Sequence, residues 1–417
     1  MIRFKAIATA GLAVALLASS AATAAAADGS ADGKEALDAA ISAYQRVYPR
    51  ISLDAATLAA KQQEDRKALY DTVIAKDPTS FGGAWFDPPT GVLHIAATSD
   101  ALAGAAAERG KASGLNVEPH LVKRSFDELT RIATSLQTPD TEIGKAARGN
   151  VGLDVEDNLV IAAVPATQLD ALARTAPEGV KLVADPGLKD EEDAGCTGRF
   201  TCDWTIRAGV AIWRGSTGNN VCSAGFTARN SSNQRWLYTA GHCSNGNGVT
   251  WGTGAENIGP MDGSSNSGVL DVAKIRVTNS WFAFDSGGEI FNAFFPNSSV
   301  NVNGVAPNLA FMWAGDVTCL SANITAATGP NFCGVLATAM DPFKRGLARV
   351  NGLDGCHGDS GGGWYWLTAS GRRWAYGMHS RSDEGCHGDQ GGSKSWFSAL
   401  PFIKALFAPT LNVETRP

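Results

Sequence analysis

All eight cysteines of this 417-residue chain lie between Cys196 and Cys386, and none precedes Cys196. An even set confined to one stretch of an exported chain implies disulfides there. Eight cysteines allow on the order of a hundred pairings, so sequence alone does not choose among them. Export is read from the start of the chain. Arg3 and Lys5 form a basic start, residues 6–18 are mostly apolar, and Ala25-Ala26-Ala27 before Asp28 is a small-residue cleavage site. Residues 1–27 therefore read as a signal peptide. The apolar run is shorter than the roughly 20 residues that a membrane span needs.

The cysteine-free stretch, residues 28–190, differs in character. It is rich in alanine and charge, with helical periodicity over 34–55 and 58–74. Two short apolar runs flank Asp87-Pro88-Pro89-Thr90-Gly91 and predict a hairpin within 81–96. A strand over 159–164 and a helix over 167–175 complete an α+β reading. Pro186-Gly187-Leu188-Lys189-Asp190-Glu191-Glu192-Asp193 is polar and turn-rich, which suits an exposed linker open to processing. From Gly195 onward, β-type runs at 209–213, 235–238, 269–277 and 374–378 alternate with Gly, Ser and Asn loops. That pattern predicts an all-β barrel or sandwich, with one helix over 401–407. The net charge of −6 gives no sign of nucleic acid or of an anionic membrane as a partner.

Two short runs carry chemistry. Gly358-Asp359-Ser360-Gly361-Gly362-Gly363 exposes a serine among glycines, where backbone N–H groups can approach a developing oxyanion. The amides of Gly358 and Ser360 are the candidate donors. Thr239-Ala240-Gly241-His242-Cys243 offers a histidine as general base for that serine. The third member is a carboxylate between them. Asp271 enters a run that alternates apolar and polar residues from Val272 onward, so a strand can hold it still and shielded. It would then keep His242 in the right tautomer and orientation. Asp262 and Asp285 lie in the same interval, but neither leads into a comparable strand.

With the chain order His, Asp, Ser, the sequence resembles the chymotrypsin-like (trypsin-fold) serine proteases. The likeness is greatest to the secreted bacterial branch of streptogrisins and alpha-lytic protease. It covers nearly all of residues 191–417, the expected protease domain. It implies two antiparallel six-stranded barrels with the triad in the cleft between them. It also implies disulfides Cys222–Cys243 beside the histidine, Cys356–Cys386 beside the serine and Cys319–Cys333 in the second barrel, which leaves Cys196–Cys202. The run Gly83-Ala84-Trp85-Phe86-Asp87-Pro88-Pro89-Thr90-Gly91 resembles the pro-region of alpha-lytic-type proteases. Residues 28–190 are accordingly expected to template folding of the rest and to inhibit it until cleaved; the other reading is a binding domain that stays attached. The expected protein is a secreted, monomeric serine endopeptidase. Its partners are protein or peptide substrates and its own pro-region, and it needs no cofactor or metal. The rivals are a non-catalytic binding protein on the same fold, and an esterase or transferase using the same triad.

The specificity cues conflict. Asp354 stands six residues before Ser360, the spacing at which trypsins keep a pocket-base aspartate, and predicts cleavage after Arg or Lys. Gly377-Met378-His379-Ser380, with Ser382, instead resembles bacterial glutamate-specific proteases. Asp359 needs a partner. There is no Ile-Val-Gly-Gly start, and Leu320 follows Cys319 where the alpha-lytic branch has an arginine; Arg345 and Arg349 are the candidates. Finally, Gly-Cys-His-Gly-Asp occurs at 355–359 and again at 385–389. Cys356, His357, Cys386 and His387 would make a metal site only with both thiolates free, and export favours a disulfide with two incidental histidines.

Overall fold

Pro49 and Ser52 divide the first helical stretch. Helix Ala31–Val47 stops short of Tyr48-Pro49, because a residue before proline avoids the helical region. Ser52 then caps Leu53–Lys61 by accepting from the Ala55 amide, and Gln63–Thr72 follows. The two helices expected over 34–55 and 58–74 are thus three. The computed structural model describes residues 31–416 except 139, 186–190, 193–205, 216–220, 245, 255, 284–286, 293–297, 326–331, 384–392 and 408–409.

Two units of one pattern come next. Phe81–Asp87 and Val92–Ala97 form the predicted hairpin, and helix Asp100–Ala112 crosses to Asn116–Leu121, parallel to the second strand. Val151–Asp154 and Leu159–Val164 form another hairpin, and Leu169–Ala173 leads to Val180–Ala184, again parallel. A parallel pair needs a crossover of this kind, whereas a hairpin needs only a turn.

The rest is two barrels. In the second, Val317–Ser321, Cys333–Thr338, Ala348–Asn351, Lys394–Ala399, Arg373–Ser382 and Gly363–Leu367 pair antiparallel in that order, and the last pairs back to the first. The ring leaves no edge among these six. In the first, the order is Arg235–Thr239, Leu270–Arg276, Glu256–Ser267, Thr250–Thr253, Ala211–Arg214 and Val221–Ser223. Val221–Ser223 runs on through Ala224-Gly225-Phe226 into Thr227–Arg229, which pairs with Arg235–Thr239. Across this join the Ala224 amide donates to Val210 and the Gly225 amide to Tyr238, at 2.7 and 2.8 Å. One stretch, 221–229, therefore meets both ends of the path. Helix Leu400–Leu406 packs beside the second barrel, yet Asn412–Val413 pairs with Thr227–Arg229 of the first. There Glu414 takes Arg229 and the buried Arg235, the latter at 2.7 Å.

Cys222–Cys243 and Cys319–Cys333 are disulfides, and Cys356 is disulfide-bonded. Cys196, Cys202 and Cys386 lie outside the described residues. No helix among the described residues is long and apolar enough to cross a membrane.

The N-terminal region packs on the second barrel through buried polar groups. The Lys67 ammonium meets Asp316 at 2.7 Å among the rings of Phe311, Trp313 and Trp366. Burial pulls its pKa down to about 8, against the attraction of Asp316. Gln63 donates to the Leu367 carbonyl and accepts from the Val317 amide and the Trp366 indole, at 3.0–3.1 Å. The Tyr44 hydroxyl donates to the Gly315 carbonyl at 2.8 Å. The edge strand at Trp85 bridges to Ala314 of the barrel half.

Candidate active site

The turn after Arg235–Thr239 carries His242, strand Leu270–Arg276 carries Asp271, and the turn before Gly363–Leu367 carries Ser360. The first two belong to one barrel and the third to the other. The His242 Nε2 lies 2.8 Å from Ser360 Oγ, and its Nδ1 lies 2.7 Å from Asp271 Oδ2. The Asp271 Oδ1 accepts from the His242 amide at 2.8 Å. Both carboxylate oxygens thus hold the same residue, one its ring and the other its backbone. That geometry can take a proton from the serine hydroxyl and stabilise the resulting imidazolium.

Asp271 is fully buried, and burial alone would raise its pKa; the bond to His242 and its charge, with help from Ser380, instead hold it down at about 2. The carboxylate is therefore ionised at neutral pH. Ser380, expected in the pocket, donates its hydroxyl to Asp271 Oδ2. Two further residues escaped the sequence reading. The Asp271 amide donates to Ser398 Oγ at 2.7 Å, and the buried Arg381 brings Nη2 to 3.9 Å from Asp271 Oδ2. Nothing local in the sequence announces Ser398, whereas Arg381 directly follows Ser380 on one strand. Of the other carboxylates weighed, Asp262 takes the Trp236 indole at 2.6 Å and Lys274 at 3.1 Å. Asp285 lies outside the described residues.

The serine turn is stitched to the opposite barrel. The Ser223 amide donates to the Ser360 carbonyl, and the Ser223 hydroxyl donates to the Gly358 carbonyl, each at 2.7 Å. Gly358 has φ +99°, where a side chain would be strained. A Cβ on Gly361 would stand 2.2 Å from Thr239 Oγ1, so only glycine lets this turn lie against the histidine strand.

Asp359 corrects the sequence reading, because its partner is not an arginine. The buried carboxylate accepts from the amides of Ile324, Thr325 and Cys356 at 2.7–3.0 Å and from the Thr325 hydroxyl. Burial still pushes its pKa up. Of the proposed arginines, Arg345 engages Asn266 and Arg349 engages Asp341. Amide donors solvate a buried carboxylate as a cation would, without a second charge to desolvate.

His379 and Ser382 flank Gly355. A Cβ there would lie 2.6 Å from His379 Nε2 and 2.5 Å from Ser382 Oγ. The Trp364 indole donates to His379 Nδ1 at 3.1 Å, so the neutral ring carries its proton on Nε2. Ser382 Oγ accepts from the Gly355 amide at 2.8 Å and lies 2.9 Å from Ser395 Oγ, which donates to Leu353. With the Ser395 proton used on Leu353, Ser382 is the donor in that pair. Asp354 is buried next in sequence to Gly355.

No family model matches the sequence, and no curated protein matches it. Its structural neighbours are bacterial serine proteases. Nocardiopsis protease is similar at 25% identity over 51% of this chain and all of its own, with a TM-score of 0.38. Thermobifida fusca protease A matches at 23% over 51% of this chain and all of its own, with a TM-score of 0.36. A glutamic acid specific serine protease matches at 24% over 50% of this chain and all of its own, with a TM-score of 0.39.

Proposed function

We propose that the chain is a secreted serine endopeptidase made with an N-terminal pro-region, residues 28–190, and a protease domain, residues 191–417. Ser360 attacks the scissile carbonyl, His242 moves the proton, Asp271 orients the ring, and the Gly358 and Ser360 amides receive the oxyanion. The observation that carries this reading is the row Asp271–His242–Ser360, with contacts of 2.7 and 2.8 Å. A fluorophosphonate probe is expected to label one peptide, the one containing Ser360, and to leave Ser360→Ala unlabelled. A processed, folded protein that takes no label would favour the binding module. Labelling with ester but no peptide turnover would favour an esterase or transferase.

For specificity, the polar contacts favour acidic residues before the scissile bond over the Arg or Lys suggested by Asp354. His379 lies beside Gly355 with its proton on Nε2, and Ser382 borders the same glycine. In peptides differing only before the scissile bond, Glu is expected to exceed Arg in kcat/KM. His379→Ala should remove that advantage, about 10- to 100-fold for one hydrogen bond to a charged group. A preference for Arg that Asp354→Ser weakens would restore the basic reading. A preference for bulky apolar residues would exclude both.

A further inference from the structure

We propose that His94, Glu118 and His120, on the N-terminal sheet that packs against the second barrel, form a divalent transition-metal site best suited to zinc. The strand register builds it. His94 lies opposite Glu118 on parallel neighbours, and His120 is two residues further along the same strand. Residues two apart on a strand share a face, so all three side chains rise together. His94 Nδ1 lies 2.9 Å from His120 Nε2. The two Glu118 oxygens lie 3.8 Å from His94 Nδ1 and 3.9 Å from His120 Nε2. Ligands about 2.0–2.1 Å from a common zinc ion stand roughly 3–4 Å from one another, so an ion fits among these atoms with small side-chain adjustments.

The rings are also held in place. Trp85, opposite His94 on the next strand, stacks on His94 at 4.9 Å and on His120 at 5.3 Å, with interplanar angles of 10° and 24°. Packing that fixes ring planes lowers the cost of ordering the ligands when an ion arrives. Trp85, His94 and His120 line an open cavity of about 490 Å³ that Gly315, Leu336 and Asn351 of the barrel half also line. That volume admits an ion with its remaining water ligands. Two imidazoles, which are borderline donors, beside one carboxylate suit zinc better than calcium or magnesium, which favour all-oxygen shells. Three protein ligands leave a fourth position for water. The sequence reading weighed only Cys356, His357, Cys386 and His387 as ligands; His94 and His120 lie on different strands with no short motif between them.

The test uses the full chain carrying Ser360→Ala, stripped with a chelator and titrated with Zn²⁺ by calorimetry and with Co²⁺ by visible absorption. One saturable equivalent is expected, with cobalt bands of a low-coordinate nitrogen–oxygen site. Loss of outer-shell partners alone weakens metal sites about 10- to 100-fold. His94→Ala and His120→Ala, which remove ligands, should therefore weaken binding by about 100-fold or more. Glu118→Gln should weaken it by about tenfold. Glu118 is 59% exposed, so this last variant leaves packing intact, and near-UV dichroism checks the folding of the others. No saturable binding, or equal binding by the His94→Ala/His120→Ala double variant, would overturn the proposal. The outcome does not depend on whether the chain is a protease.

Discussion

Asp271→Asn is expected to lower kcat by a factor on the order of 10⁴ while the protein still folds. The reason lies in how the two carboxylate oxygens are used. Oδ1 accepts from the His242 amide, and Oδ2 accepts from the His242 ring and from Ser380. An asparagine can keep its oxygen on the amide only by turning its NH₂ toward the ring. Nδ1 must then accept, the imidazole proton moves to Nε2, and Nε2 can no longer take the Ser360 proton. Asparagine fills the same volume, so packing barely changes. The measurement is the turnover of a peptide substrate, with circular dichroism to check the fold. Near-normal turnover would remove Asp271 from the mechanism. Ser380→Ala separates the roles further: it removes one hydrogen bond to Asp271, and about 1.5–3 kcal/mol for a bond to a charged group makes its effect far smaller than that of Asp271→Asn.

The second large effect concerns folding. Expressed without residues 28–190, the protease half is expected to refold far more slowly than the full chain, and the N-terminal region added in trans should restore it. The barrels pair strands distant in sequence, a topology that folds slowly. The N-terminal region packs against the second barrel. Tyr44, Gln63 and Lys67 each place a polar atom on a buried partner of that barrel. At about 1 kcal/mol per hydrogen bond, contacts of this kind formed in the transition state change the rate by a factor on the order of 10². Recovery of peptidase activity after dilution from denaturant measures it. Equal refolding with and without the region would reduce it to an attached domain.

What was legible in the sequence followed from local pattern. The alternation after Val272 and the hairpin around Pro88-Pro89 each specify a short stretch of backbone, and each stretch appears where expected; the serine among glycines, read as exposed, is buried instead. What was missed depends on residues brought together from far apart. Asp359 is solvated by amides at 324 and 325, 34 and more residues away, and an amide donor leaves no mark on a sequence. Ser380 reads equally well as a pocket residue or as a support for Asp271, because adjacent strand residues face opposite sides. The break at residues 48–52 could have been placed, since proline and a capping serine are both local signals.

A contact between distant residues sets a timetable for the first barrel. Arg235 is buried in the first barrel, and the Glu414 that holds its guanidinium is 179 residues further on. At about 5–20 residues per second of synthesis, the first barrel waits on the order of ten seconds or more for its final strand. His242 and Asp271 belong to that unfinished barrel, and Ser360 belongs to the one completed just before it. Until that segment is made, His242, Asp271 and Ser360 lack part of the scaffold that aligns them. The pairing of Asn412–Val413 with Thr227–Arg229 thus ties the alignment of all three residues to a segment made after the strands of both barrels.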